Sequence, residues 1–372
     1  MIRIILLLIL AALLPQSANS QIAGNGSIQL VHLRPHTQSF LFEPKGIGVW
    51  LQAGLEHQTL GDRNWHACYG LPRFGIRLNA NYLGEPYEQL GWAASLVPYV
   101  DFGLKSFKKS ALRFVLGFGA SYHSKIYDPI HNPLQTTISL RVNNQVSFQL
   151  RYEKHFQKLG MLNMGLCMDH ISNGGYQLPN LGLNYLGVNL GWRSAFSKNS
   201  VASEAIKLQT DYSRWSFGIS TGMAYREFKL IGGPKFPVKI LSFELGYHYH
   251  PYKLIRFGIE GEHHQLASYF ASHTEIKPDI RSAWALGNRL QFFVGHEWLV
   301  GNLGLEARLG YQVLQSSLLS NVPLYTRLSL QYYLKLPRTK QLWLAPGLAL
   351  KSHYATAEYM SAFVTLRYWK KN

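Results

Sequence analysis

Oily residues alternate with polar residues or glycine along most of this chain, in segments of about ten residues. Over 111–122, Leu112, Phe114, Leu116, Phe118, Ala120 and Tyr122 share one row, and Arg113, Gly117, Gly119 and Ser121 share the other. Over 145–153, Val146, Phe148, Leu150 and Tyr152 stand against Gln145, Ser147, Gln149, Arg151 and Glu153. The pattern returns in Leu303–Leu309, Leu324–Tyr332 and Met360–Tyr368. Successive side chains on a strand point to opposite faces, so each segment predicts a strand with one oily and one polar face. Short strands of this kind, oily outside and polar inside, mark a transmembrane barrel. The expected fold class is all-β: an antiparallel transmembrane β-barrel of about sixteen strands.

The strands divide into eight before residue 195 and eight after 213. Residues 196–213 open on small and polar residues and predict a linker between halves at 21–195 and 214–372. Gly165-Leu-Cys-Met-Asp-His170 aligns without a gap on Gly347-Leu-Ala-Leu-Lys-Ser352, which points to two eight-stranded repeats. Two small barrels or one large one satisfy the pattern equally. Segment 59–72 falls where the strand count predicts a periplasmic turn, and it is long for one.

Met1-Ile-Arg3, the apolar run Ile4–Leu14 and Ser17-Ala-Asn-Ser20 read as a cleavable secretory signal over 1–20. That run is too short to span a membrane as a helix, which takes roughly twenty apolar residues. An exported barrel of this type is expected in the bacterial outer membrane. The 33 Gly, 22 Tyr and 19 Phe with only 15% charged residues suit a barrel, as does a mean hydropathy near zero. Cys68, expected in a loop, and Cys167, on an inward row, have no spacing that demands a bridge and are read as free. The net charge of +17 is scattered over turns and barrel interior rather than gathered in a stripe. That distribution excludes a nucleic-acid partner and suits anionic lipid head groups.

The candidate chemistry lies in a strand predicted over 161–172 and the loop after it. Leu162, Met164, Leu166, Met168, His170 and Ser172 share one row, against Asn163, Gly165, Cys167, Asp169 and Ile171. The next strand sets Asn184, Leu186, Val188, Leu190 and Trp192 on one row. The oily row of a membrane barrel faces lipid, so His170 and Ser172 would meet the bilayer itself. A serine hydroxyl becomes nucleophilic when an adjacent imidazole takes its proton, which suggests an enzyme acting on a lipid.

His170-x-Ser172-Asn173, followed by Gly175, Asn180 and a polar residue at 184, resembles the outer-membrane lipid A 3-O-deacylase family, whose relatives include acyloxyacyl hydrolases. The resemblance covers roughly 25–195 and is specific at 170–184. It implies an eight-stranded barrel that removes an ester-linked acyl chain from lipid A of lipopolysaccharide. It also implies Ser172 as nucleophile, His170 as base, and Gly175 N–H with Asn180 as oxyanion hole. Asn173 matches the pattern without an implied step. The family's orienting glutamate is replaced here by Asn184. An amide oxygen can hold an imidazole N–H, but it lends the imidazolium no charge. The nearby acids Asp169 and Glu153 lie on inward rows, so either Asn184 orients the ring in a slower enzyme, the favoured reading, or a loop acid such as Asp128 reaches in.

In the second half, Ser352 and Tyr354 stand at the positions of His170 and Ser172, so that half is expected to lack the motif. A Ser352-His353…Glu358 grouping is read as structural, because alternation turns His353 inward. His248 with His250 and His263 with His264 lack a convergent carboxylate or cysteine at metal spacing, so no metal and no cofactor are expected. Trp192, Trp343 and Trp369 fit interfacial anchoring. The leading expectation is a lipid-facing serine esterase of the outer leaflet, with lipid A as substrate and outer-membrane lipids as its surroundings. The alternative is a non-enzymatic barrel, structural or channel-forming, with a vestigial motif. A soluble lipid-binding β-protein is disfavoured, since its polar rows would have to be outermost. The oligomeric state, the acyl chain removed and the role of the second half stay open.

Overall fold

A computed structural model describes residues 22–156, 160–194, 214–227, 231–273, 280–314, 322–339, 341–354 and 356–369. The expected signal segment and the 196–213 linker lie outside the described residues. Eight antiparallel strands close the first barrel: β1 (Ile22–Leu33), β2 (Gly48–Gln58), β3 (Arg73–Tyr82), β4 (Trp92–Ser106), β5 (Ser110–His123), β6 (Val142–Phe156), β7 (Gly160–Ser172) and β8 (Leu183–Arg193). Each strand pairs with its sequence neighbour, and β8 closes on β1 through Leu33↔Tyr185 to Asn25↔Arg193. The second set is β9 (Trp215–Glu227), β10 (Lys235–His250), β11 (Lys253–His264), β12 (Asn288–Val300), β13 (Leu303–Leu314), β14 (Leu324–Tyr332), the two-residue β15 (Leu334–Lys335), β16 (Leu342–His353) and β17 (Thr356–Trp369). Pairing of β14 with β16 and of β17 with β9 closes it, again with eight full-length strands. Of the two closures the sequence left open, two small barrels is the observed one.

Burial follows the two-residue period. On β7, Leu162, Met164, Leu166 and Met168 are exposed, while Asn163, Cys167, Asp169 and Ile171 are buried. Met164 and Leu166 are 59% and 64% exposed, an arrangement that only a hydrocarbon surround makes favourable. Neither cysteine forms a disulfide, and Cys68 sits in a short helix rather than in an irregular loop.

The lumen of each barrel is filled by paired charges. In the first, Arg73 meets Glu153 through two bonds of 2.7 and 2.9 Å, and Arg193 bridges Glu153 (3.1 Å) and Glu56 (2.9 Å). Arg113 and Arg151 both hold Asp101 at 2.7 Å. In the second, Arg256 bonds Glu244 at 2.7 Å, and Lys351 bonds Glu262 at 2.7 Å. Charges taken out of water are tolerated only when paired in good geometry, which these lattices supply. Among the described residues, lumen acids and bases largely match, so the lumens do not account for the chain's excess of basic residues.

His353 is drawn into the second lattice as alternation predicts. Its Nε2 lies 3.0 Å from Glu358 Oε2, and its Nδ1 bonds the Leu324 carbonyl at 2.9 Å.

Connections at the two ends of the first barrel differ. The segments at the end where β7 finishes are 34–47, 83–91, 124–141 and 173–182, whereas Ser106 and Ser110 at the other end are three residues from closing directly. Segment 59–72 is the long exception there. It folds into α1 (Asn64–Cys68) and is clamped at its base, where Thr59 N–H and Oγ both donate to the Pro72 carbonyl. Barrels carry short periplasmic turns and longer extracellular loops, and apart from segment 59–72 the longer connections are at the end bearing residues 170–184.

Candidate active site

His170 and Asn184 are direct cross-strand partners on β7 and β8, two residues from where the two strands part. Both stand on rows of outward side chains, as the alternation requires. His170 Nδ1 lies 2.6 Å from Asn184 Oδ1, and His170 Nε2 lies 3.0 Å from Ser172 Oγ. An amide oxygen only accepts, so Nδ1 carries the hydrogen and Nε2 is left bare toward the serine. That is the tautomer a general base needs. The imidazole is half-buried and Ser172 is buried at 4% exposure.

The loop between the strands presses on this pair. Gly182 has φ of +79°, and a Cβ there would stand 2.9 Å from His170 Cε1 and 3.5 Å from Ser172 Cβ. Only glycine takes that backbone region at no cost and leaves room for the ring. Gly182 N–H donates to the Thr137 carbonyl at 2.8 Å, which ties the loop to segment 124–141. Asn173 ties the loop to itself and to that segment. Its N–H donates to Asn180 Oδ1 (2.9 Å), and its Nδ2 donates to Ser139 Oγ (3.2 Å). Asn180 therefore has its oxygen engaged, and its N–H end is the one left to donate elsewhere. Gly175 follows three residues after Ser172 in the left-handed region, φ +81°. Hydrogen bonds thus join His170, Ser172 and Asn184 to one another and Asn173 to Asn180. Among the described residues no such bond links Asn180 to Ser172.

The acid alternatives are engaged elsewhere. Asp169 points inward and accepts from Gln145 at 2.9 Å, and Glu153 is held by arginines in the lumen. Asp128 caps its own turn, accepting from the N–H groups of His131 (2.7 Å) and Ile130 (2.9 Å), which hold its carboxyl below the usual carboxylate range. Asn184 is the side chain that His170 Nδ1 meets instead.

Two contributors escaped the sequence reading. His36, in the segment after β1, has Nδ1 2.9 Å from Asn184 Nδ2. Nothing in the local pattern marks it, because 148 residues separate the two. Gly182 could have been found, since a glycine two residues before an orienting side chain leaves no volume against its partner.

Residues 51–193 match the family described as Lipid A 3-O-deacylase (PagL). No curated protein sequence matches the chain. Among solved structures, the outer membrane enzyme PagL is 14% identical, covering 45% of this chain and 98% of its own, with a TM-score of 0.33. A triple mutant of the Rhodopseudomonas blastica porin is 9% identical over 93% of this chain and 98% of its own, with a TM-score of 0.17. The Acinetobacter baumannii outer membrane protein Omp33 is 7% identical over 95% of this chain and 100% of its own, also at 0.17.

Proposed function

We propose that this outer-membrane chain, whose residues 51–193 belong to the lipid A 3-O-deacylase family, is a serine esterase that cleaves an ester-linked acyl chain of lipid A in the outer leaflet. The observation that carries the reading is an outward-facing imidazole bonded at once to Ser172 and to Asn184. In this mechanism Ser172 Oγ attacks the ester carbonyl while His170 Nε2 takes its proton. Asn184 Oδ1 holds the Nδ1–H, so the ring keeps its tautomer and direction as it becomes an imidazolium. The tetrahedral oxyanion is met by the Asn180 amide N–H and the Gly175 backbone N–H, each worth ~100- to 1,000-fold in rate. The proton on His170 passes to the leaving sugar oxygen, and water then releases the fatty acid from Ser172. The lipid-facing row delivers the substrate laterally, which fits a nucleophile on the outer wall rather than in the lumen. The chain's excess of basic residues suits a phosphorylated glycolipid.

Mass spectrometry of lipid A from cells with and without this chain tests the reading. Loss of one acyl chain only when the protein is present is expected. Identical lipid A in both would leave the vestigial, non-catalytic barrel as the better account.

A further inference from the structure

The pair that orients His170 recurs in the second barrel, on a different pair of strands. His263 on β11 and Asn288 on β12 are direct cross-strand partners, and His263 Nδ1 lies 2.8 Å from Asn288 Oδ1. Both belong to outward rows. His263 follows Ile255, Phe257 and Ile259, while Asn288 precedes Leu290, Phe292 and Val294. The residues on the opposite rows of the same strands, Glu260, Glu262, His264, Arg289 and Gln291, are buried toward the lumen. A polar pair on the lipid-facing side plays no part in that charge lattice, and polar groups at such places are by default functional.

The glycine recurs as well. A Cβ on Gly287, directly before Asn288, would stand 2.9 Å from His263 Cε1 and 2.8 Å from the His264 carbonyl oxygen. The same point at Gly182 is 2.9 Å from His170 Cε1 and 3.3 Å from the Ile171 carbonyl oxygen. In the first barrel the third neighbour of that point is Ser172, and in the second it is the Ser268 hydroxyl, closer still. Ser268 comes from α2 (Gln265–Ser272), the helix that follows β11. Its contact with the Trp284 carbonyl is long, 3.5 Å. The Trp284 ring stacks on His263 at 5.2 Å and 22° and is 57% exposed, as an indole at a membrane interface is.

We propose that Ser268, His263 and Asn288 form a second hydrolytic site, which acts on an ester-linked acyl chain of a membrane lipid. With Asn288 Oδ1 holding Nδ1–H, His263 Nε2 is bare and takes the proton as Ser268 Oγ bonds to the ester carbonyl carbon. The carbon–oxygen ester bond then breaks, the alcohol oxygen leaves with that proton, and water hydrolyses the acyl-serine. Ser268 and His263 are the catalytic residues and Asn288 positions the ring. The H-x-S motif is absent because the serine is supplied by a helix, five residues after His263 instead of two. The site stands on second-barrel geometry and does not depend on Ser172 being active.

The test uses the full chain in detergent micelles and dodecyl fluorophosphonate, which captures an activated serine hydroxyl with loss of fluoride. Peptide mass mapping should find the adduct on Ser268 in the wild type and equally in Ser172→Ala. Labelling of Ser268 should vanish in His263→Ala, fall at least about tenfold in Asn288→Ala and be retained in Asn288→Asp. The last comparison separates positioning of the ring from simple packing. Hydrolysis of p-nitrophenyl laurate by Ser172→Ala should also disappear in the Ser172→Ala/Ser268→Ala protein, whatever the folding of His263→Ala. An adduct on Ser172 without one on Ser268 overturns this proposal and leaves the first site standing. An adduct on Ser268 without one on Ser172 supports this site and counts against the first. Labelling of Ser268 that survives His263→Ala in folded protein overturns it too.

Discussion

The carboxamide nitrogen of Asn184 lies 2.9 Å from Nδ1 of His36, and that contact decides which end of the amide faces His170. With the nitrogen donating to His36, the oxygen is left 2.6 Å from His170 Nδ1. The reverse orientation would present N–H to Nδ1, push the ring hydrogen to Nε2 and aim it at the serine. A histidine remote in sequence thus keeps the hydrogen on His170 Nδ1 and leaves Nε2 bare toward Ser172.

Removing that anchor should be visible in rate. His36→Phe is expected to lower kcat by ~10- to 100-fold with little change in KM, less than the ~10⁴ that a fixed wrong tautomer costs a serine triad. A carboxylate has two equivalent oxygens and cannot be turned the wrong way. In an Asn184→Asp background, His36→Phe should therefore cost almost nothing. An equal loss in both backgrounds would show that His36 acts by packing.

Restoring a charge at position 184 should help the reaction. Asn184→Asp keeps the length of the side chain, and Asn184→Glu restores the residue type of the family. A carboxylate stabilises the imidazolium that forms as Ser172 attacks, and in a site of low dielectric the gain is ~10- to 1,000-fold. Purified protein with lipid A in micelles gives the comparison. If neither variant gains while Asp128→Asn abolishes release, the orienting acid comes from the 124–141 segment.

Ser172→Ala should abolish acyl release from lipid A at the first site and leave the barrel folded, because the hydroxyl's recorded bond is to His170. Release at the wild-type rate would rule out the serine mechanism. Ser352→Ala should change nothing in the same assay.

Gly182→Ala places a methyl 2.9 Å from His170 Cε1 at a φ of +79°. The left-handed backbone costs about 1–2 kcal/mol for an L-residue, and the imidazole must shift away from Ser172. A kcat at least tenfold lower in a barrel that still forms is expected, on the scale that small misplacements of reacting groups cost. Wild-type kcat would mean that the loop yields instead of the ring.

Glu153→Leu leaves Arg73 and Arg193 without their shared carboxylate in the first lumen. Breaking a buried pair by removing one partner costs about 3–5 kcal/mol, so the urea midpoint of the barrel in micelles should fall clearly. Activity per folded molecule should hold, because the lattice faces away from Ser172. An unchanged midpoint would mean that water or the remaining carboxylates, Glu56 and Asp101, compensate the two arginines.

The alternation along β5, β6 and β7 was enough to read strands, their two faces and the membrane as surround, because a strand's side-chain period is fixed by its covalent backbone. The same register put His170, Ser172 and Asn184 on the lipid-facing rows before any coordinates. Closure was not legible: whether sixteen strands make one ring or two depends on which edges meet, and Leu33↔Tyr185 and the β17–β9 pairing are contacts between distant residues. Nor did the pattern point to His36 or to the pairing of His263 with Asn288, whose partner arrives after 24 intervening residues that include helix α2. Local sequence determines which way a side chain points, since that follows from neighbours one and two residues away. Only the tertiary structure decides which distant side chain it meets there, because that depends on strand register and loop paths set by the whole barrel.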